Sequence, residues 1–282
     1  MPELPEVETI RRGLEPVMTG ATVACLTLRR KNLRKPFPKD MKKRLEGLKI
    51  LAVDRRAKYL LVSLENETVL IWHLGMSGQV RIYKKGDKVP KPEKHDHVQI
   101  DLSNGATIVF TDPRRFGLMD LASSDEMPTH PLFKNTGPEP LGRGFSGKVL
   151  ADRLKGKATE IKLALMDQKV VAGVGNIYAS EALFRAGISP KARAGSISLA
   201  RLSVLVSEIK KILKKAIKAG GSTLKDHRTT DGGLGYFQNS HTVYGREGQP
   251  CPGCDCNVRR TGGIKRIVQG GRATFYCPRR QR

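Results

Sequence analysis

From residue 20 to about residue 125 the apolar residues come in short β-like runs divided by turn signals. The runs are "ATVACLTLRR", "KILAVDRRAKYLLVSLE", "ETVLIWHLGMSGQVRIY", "HVQIDLSNGATIVFTD" and "GLMDLA". Glu65-Asn66 and Asn104-Gly105 are among the breaks. Several short strands at this spacing can bury their apolar faces only against one another, which predicts a β-sandwich or barrel. One helix precedes them. Val7, Ile10, Leu14 and Val17 recur at helical spacing, Pro5 suits the first turn, and Gly20 can end it.

After this block, 1–125, the pattern changes. Residues 126–149 are rich in Pro and Gly and read as a linker. From 150 to 225 the period is helical: "KVLADRLKGK", "TEIKLALMDQK" with Thr159 as its expected cap, "GNIYASEALFRAG", and the long basic "SLARLSVLVSEIKKILKKAIKAGG". Residues 226–282 hold a polar loop and a cysteine-rich tail. Strands followed by helices make the expected class α+β, with separate units.

Lys and Arg total 51 against 27 Asp and Glu, a formal charge of +24. A surplus of that size predicts a polyanionic partner held through phosphate contacts, hence nucleic acid. A membrane is not expected, because no apolar run reaches the ~18–20 residues of a spanning helix. The opening is acidic where a leader would be basic, so a cytoplasmic protein is expected. Of five cysteines, Cys25 stands alone and Cys251, Cys254, Cys256 and Cys277 cluster, which suggests a metal site in a reduced protein.

Against the basic surplus, the chain opens "MPELPEVETIRRGLEP". If Met1 is removed, Pro2 offers a secondary amine. An α-amino group titrates near ~8, against ~10.4 for lysine, so part of it is neutral at pH 7. Such an amine can attack a sugar C1′ and form an iminium. Taken alone, the stretch reads first as an ordinary helix start with acids placed for the dipole.

The opening, together with "RRAKYLLV", "HLGMSG", "KHDHV", "TDPRRFG", "MDQKVVAGVGNIYASEALFRAGISP", "GGSTLKD", "VYGREGQPC" and "GGRATFYC", resembles formamidopyrimidine-DNA glycosylase, in the family's order and over nearly the whole chain. The resemblance implies an N-terminal β-sandwich with an N-terminal helix, a helix-two-turn-helix domain and a C-terminal zinc-finger-like β-hairpin. It implies a monomer acting on damaged double-stranded DNA. The implied activity is excision of oxidised purines (8-oxoguanine and formamidopyrimidines) followed by β,δ-elimination. "PELPE" sets the chain apart from the endonuclease VIII relatives, which typically begin "PEGPE". Two alternatives stay open: an endonuclease VIII-like enzyme for oxidised pyrimidines, and a non-catalytic damaged-DNA-binding protein.

By the same resemblance Pro2 is the nucleophile, Glu3 the acid, and Glu6 holds the geometry. Lys58, read as sharing a strand face with Leu60 and Val62, is a catalytic lysine near the base or phosphate. Met76, Arg114 and Phe116 fill the gap left by the extruded nucleotide, in loops between strands. His73, His95, Lys157, Lys162, Asn176 and Lys225 are DNA contacts, although Asn176 alone could be an N-cap. Arg272 faces the phosphates and assists δ-elimination. The tail departs from the family. "CPGC" supplies Cys251 and Cys254, but "CPRRQR" supplies only Cys277, with Arg280 where a fourth cysteine belongs. Three readings compete: Cys256 completes a four-thiolate zinc site; three thiolates bind zinc with water or a histidine; or no metal binds.

Overall fold

The structure, a computed structural model, describes residues 2–222, 230, 233, 235–255 and 257–282. They group into two compact units: Met1–Lys134 with Ala219–Gln238, and Asn135–Lys218 with Asn239–Arg282.

The first unit begins with α1 (Leu4–Met18), then β1 (Val23–Leu28), a short α2 (Met41–Leu45), and β2 (Ile50–Arg56), β3 (Tyr59–Leu64), β4 (Thr68–His73), β5 (Gln79–Tyr83), β6 (Asp96–Leu102), β7 (Thr107–Thr111) and β8 (Leu118–Ser123). Two antiparallel four-stranded sheets result, ordered β1-β6-β7-β5 and β2-β3-β4-β8. The expected sandwich is therefore present. Three of the runs proved to hold two strands each: "KILAVDRRAKYLLVSLE" turns back at Ala57-Lys58, and the turn residue Ala57 adopts a positive φ of 53°. Lys58 thus lies in a turn and not within a strand, a correction to its expected placement; it is nonetheless buried.

Alternation places Leu60, Val62 and Leu64 on the inner face of β3. They meet Trp72, Val98, Ile100, Ile108 and Phe110 in one core. Val7, Ile10, Leu14 and Met18 of α1 join it, so the helix closes the sandwich. β4 is buried on both faces. Its outward Val69 and Ile71 are covered by Phe133, with Met127 and Leu132 beside it. Part of the Pro- and Gly-rich stretch read as linker therefore packs as sheet cover.

The second unit contains α3 (Gly147–Leu154), α4 (Ile161–Met166), α5 (Asn176–Arg185), α6 (Leu199–Lys218), α7 (Val258–Thr261), and the antiparallel hairpin β9 (Lys265–Gln269) and β10 (Arg272–Tyr276). Leu202, Leu205, Val206, Ile209, Ile212, Leu213, Ala216 and Ile217 line the buried face of α6, which packs against α3 and α5. The α4–α5 connection is held by Gln168, which accepts from the Gly173 N–H at 2.7 Å and donates to the carbonyls of Met166 and Val174. Thr159 is not the cap of α4; Glu160 occupies that position, without a side-chain capping bond. No helix among the described residues is long and apolar enough to cross a membrane.

Trp72 is fully enclosed and meets Phe110 edge-on, with ring centroids 5.1 Å apart. Trp72→Ala is expected to lower the unfolding free energy by about 3–5 kcal/mol, a cavity cost for a buried aromatic. Urea unfolding followed by circular dichroism measures it.

Candidate functional site

In the first unit the chain enters α1 through a reciprocal capping box. The Glu3 side chain accepts from the Glu6 N–H, and Glu6 Oε2 accepts from the Glu3 N–H at 2.8 Å. Glu6 Oε1 accepts the Ser222 N–H, also at 2.8 Å. Pro2, Glu3 and Glu6 are all buried. Further along the helix, Glu8 pairs with Arg55 at 3.1 Å, and Arg55 donates to the Ala57 carbonyl at 2.9 Å. α1 is thereby tied to the turn that carries Lys58.

Lys58 is followed by Tyr59, which pairs with His73 across β3 and β4. The His73 Nδ1 accepts from the Gly75 N–H at 3.0 Å, which places its proton on Nε2. Burial, then the positive charges of Lys58 and Arg34, push its pKa down to about 4. The β4–β5 loop carries Met76 and the β7–β8 loop carries Arg114 and Phe116, both between strands as expected. The Arg114 guanidinium stacks 4.9 Å from the Phe116 ring centroid, and Phe116 is 43% exposed. Gly75, at φ 69°, has no room for a Cβ, which would lie 2.4 Å from the Phe116 carbonyl carbon and the Gly117 nitrogen. A cavity of about 370 Å³ is lined by His73, Gly75, Met76, Phe116 and Arg34. Arg34 was not among the sequence candidates. Its exposed side chain follows a backbone N–H bonded to the Gly117 carbonyl at 3.0 Å, a contact without a local sequence signal. His95 is half-buried beside His97, with ring centroids 6.3 Å apart.

In the second unit Asn176 is the first residue of α5, and Gly175 is the cap. The Asn176 amide donates to the Tyr244 hydroxyl at 3.2 Å and the Ala273 carbonyl at 3.0 Å. Its Oδ1 is buried with no partner among the described residues. Lys162 was expected at a phosphate. It is fully enclosed instead, and its ammonium donates to Thr274 Oγ1 at 2.6 Å and the Ala273 carbonyl at 3.3 Å. That correction follows from burial: the short α4 turns this lysine beneath β10, where carbonyl and hydroxyl acceptors replace water. Lys157 is half-buried, and Arg272 is exposed at the start of β10. Lys225 and Cys256 lie outside the described residues.

Cys251, Cys254 and Cys277 bring their sulfurs within 4.8 Å of one another, with Cys254 and Cys277 at 3.6 Å. That spacing fits three corners of a tetrahedral thiolate site. Burial pushes the Cys251 thiol up to about 12. Arg280 offers no ligand. It stacks 5.0 Å from the Phe184 ring centroid, donating to the Gly253 carbonyl at 2.8 Å and the Phe184 carbonyl at 3.2 Å.

A sandwich closed by an acid-capped N-terminal helix, and a helical unit with a hairpin beside a three-cysteine cluster, define a two-part α+β protein of DNA-glycosylase type. The family models for the formamidopyrimidine-DNA glycosylase N-terminal domain and H2TH domain match residues 1–119 and 136–228. The formamidopyrimidine-DNA glycosylase of Rhodospirillum rubrum is 52% identical over the full length of both chains. A Lactococcus lactis Fpg (MutM) bound to N7-benzyl-Fapy-dG-containing DNA superposes with TM-score 0.87 at 34% identity, covering 99% of each chain. A MutM structure with carbocyclic 8-oxo-G-containing DNA gives 0.87 at 36% identity, again over 99% of each chain. The chain belongs to the formamidopyrimidine-DNA glycosylase family.

The unfolded chain takes up the His73 proton near 6.5, the folded protein only near 4. Between those values the unfolded state binds more protons, so this histidine makes stability fall as pH drops through the window and contributes nothing above it. His73→Gln is expected to flatten the stability–pH curve between about pH 6.5 and 4. Urea titrations at stepped pH measure the slope.

Proposed function

We propose that the protein excises oxidised purines, 8-oxoguanine and formamidopyrimidines, from double-stranded DNA and then cleaves the strand, acting as a DNA glycosylase and abasic-site lyase in base-excision repair. The observation that carries the residue assignment is the buried start of α1, where Pro2 immediately precedes Glu3 and the Glu3 and Glu6 carboxylates are bonded into the same turn.

With Met1 removed, the Pro2 nitrogen is the nucleophile. It sits at the positive end of the α1 dipole, which favours the neutral amine. Its lone pair bonds to C1′ as the C1′–base bond breaks, and the base leaves with a proton. Opening of the sugar ring gives the iminium; Glu3 supplies and takes up protons around it, and the nearby negative charge stabilises the cation. Loss of the C2′ proton then sends electrons toward the iminium and expels the 3′ phosphate, and a second elimination expels the 5′ phosphate. Glu6 keeps this turn in place. Lys58 serves the base or its neighbouring phosphate.

Met76, Arg114 and Phe116 fill the space of the extruded nucleotide, an assignment supported by their two touching loops and the exposure of Phe116. His73, His95, Lys157, Asn176 and Lys225 contact the backbone, and Arg272 assists the second elimination. Lys162 supports the hairpin from beneath. DNA carrying oxidised purines, as in the complexes of the relatives, favours this reading over oxidised pyrimidines. The enzyme is read as a cytoplasmic monomer that does not bind membranes.

The metal is read as zinc on Cys251, Cys254 and Cys277, with Cys256 in the fourth position. Bound there, zinc would cross-link the tail and stabilise its fold.

Borohydride is expected to trap a covalent adduct with 8-oxoguanine duplex, and Pro2→Gly, which replaces the ring-held secondary amine with a freely rotating primary one, to weaken the trapping greatly. Equal trapping through a lysine would overturn the assignment. Purified protein is expected to contain one zinc per chain by plasma emission, and Cys256→Ser to lower that content. Metal-free protein with full nicking activity would remove zinc from the mechanism.

A further inference from the structure

Asp112 follows β7 and has no exposure to solvent. Its Oδ1 accepts the Ser77 hydroxyl at 2.7 Å, and its Oδ2 accepts the Gly117 N–H at 2.7 Å. Ser77 Oγ in turn accepts the Arg114 N–H at 3.2 Å. The main chain of Asp112 is engaged as well. Its carbonyl accepts the Arg115 N–H at 3.1 Å and lies 3.0 Å from Nε2 of buried His97, and its N–H donates to the His95 carbonyl at 3.0 Å. One residue therefore joins the β4–β5 loop, the β7–β8 loop and the start of β6.

The join is tight. The backbones of the two loops touch at Gly75 and Phe116–Gly117, where a single added methyl has no space. Arg115, between Arg114 and Phe116, holds a left-handed φ of 58°. A non-glycine residue keeps that conformation only where its surroundings impose it. The bond from its N–H to the Asp112 carbonyl is one such constraint.

We propose that Asp112 is a positioning residue that locks the two loops into a single rigid wedge, so that Met76, Arg114 and Phe116 enter the DNA together as the damaged nucleotide leaves the stack. This rests on the reading that these three side chains fill the vacated space. Two independent loops would each have to be ordered during insertion, and that cost falls on the extrusion step. A buried carboxylate with fixed donors on both oxygens removes it beforehand. Asp112 touches no nucleotide in this scheme.

The aspartate accepts on both sides, from the Gly117 N–H and the Ser77 O–H. Asparagine can still accept from Gly117 and donate to Ser77 Oγ, which keeps its bond from Arg114. Alanine loses both links and leaves two buried donors unpaired.

The test compares wild type, Asp112→Ala and Asp112→Asn on three substrates: 8-oxoguanine in a paired duplex, the same lesion in an unpaired stretch, and a preformed abasic site. A fluorescent adenine analogue beside the lesion reports unstacking. On the paired duplex Asp112→Ala is expected to slow excision by about 30–100-fold and Asp112→Asn by about 3–10-fold, because unpaired buried donors disorder the wedge when extrusion is costly. On the other two substrates the loss is expected to shrink below about 5-fold, since little stacking has to be replaced there. Unstacking is expected to slow in step with excision.

An equal loss on all three substrates, or an unstacking rate unchanged from wild type, overturns the proposal. Should Asp112→Ala fail to fold, Asp112→Asn and Ser77→Ala carry the same comparison, with the same ordering expected. Failure of the wild type to excise any lesion would sink the glycosylase reading itself. The unstacking signal needs only binding, so it judges the wedge separately, and no signal from wild type overturns the wedge.

Discussion

Glu181 on α5 is wholly buried, and its carboxylate accepts the N–H groups of Thr242, Val243 and Tyr244 at 2.8–2.9 Å and the Thr242 hydroxyl. Such a carboxylate is tolerated only because nearly every lone pair meets a donor. The same device recurs in the first unit. Glu6 binds the N–H groups of Glu3 and Ser222, and Asp112 binds the Ser77 hydroxyl of one loop and the Gly117 N–H of the other. In each case segments without regular structure are held by a buried acceptor on, or next to, a helix or strand. The residues proposed to act on DNA sit on or against these segments: Pro2 and Glu3 beside Glu6, Met76 and Phe116 beside Asp112, and Asn176, which meets Tyr244, beside Glu181.

This resolves the apparent conflict between the acidic opening and a charge of +24. The basic surplus provides long-range attraction to DNA, which is screened and sequence-independent. The buried acids act over single bond lengths and have no part in that field. Lys162 shows the converse. A cation in a basic protein is enclosed, with a hydroxyl and a carbonyl of the hairpin among its acceptors. Arg280 is similar: where a fourth cysteine is expected, it stacks on Phe184 and bonds to main-chain carbonyls.

Much of the fold was legible in the sequence. Period-two runs with Asn-Gly and Glu-Asn breaks determined the strands, and the 3.6-residue pattern of "SLARLSVLVSEIKKILKKAIK" determined α6, because burial on one face imposes that spacing on any sequence. The motifs "MPELPE", "HLGMSG" and "TDPRRFG" identified the candidate residues. Lys58 was misplaced because its alternation with Leu60 and Val62 continues through a two-residue turn, and a turn that preserves alternation looks like strand.

Tertiary structure alone decided which partners the charged residues find. Ser222 lies far along the chain from Glu6, as do Thr274 from Lys162 and Asp112 from Ser77, and no local pattern encodes such pairs. A side chain's burial and bonding depend on which segments pack over it, and that follows from sheet order and helix packing. The sequence by itself determined the elements, the basic charge and the candidate residues, all set by local spacing and composition. The packed structure decided that Lys162 is enclosed, that Asp112 joins two loops, and that Glu6 holds the opening turn, because desolvation and hydrogen-bond satisfaction exist only once distant segments meet.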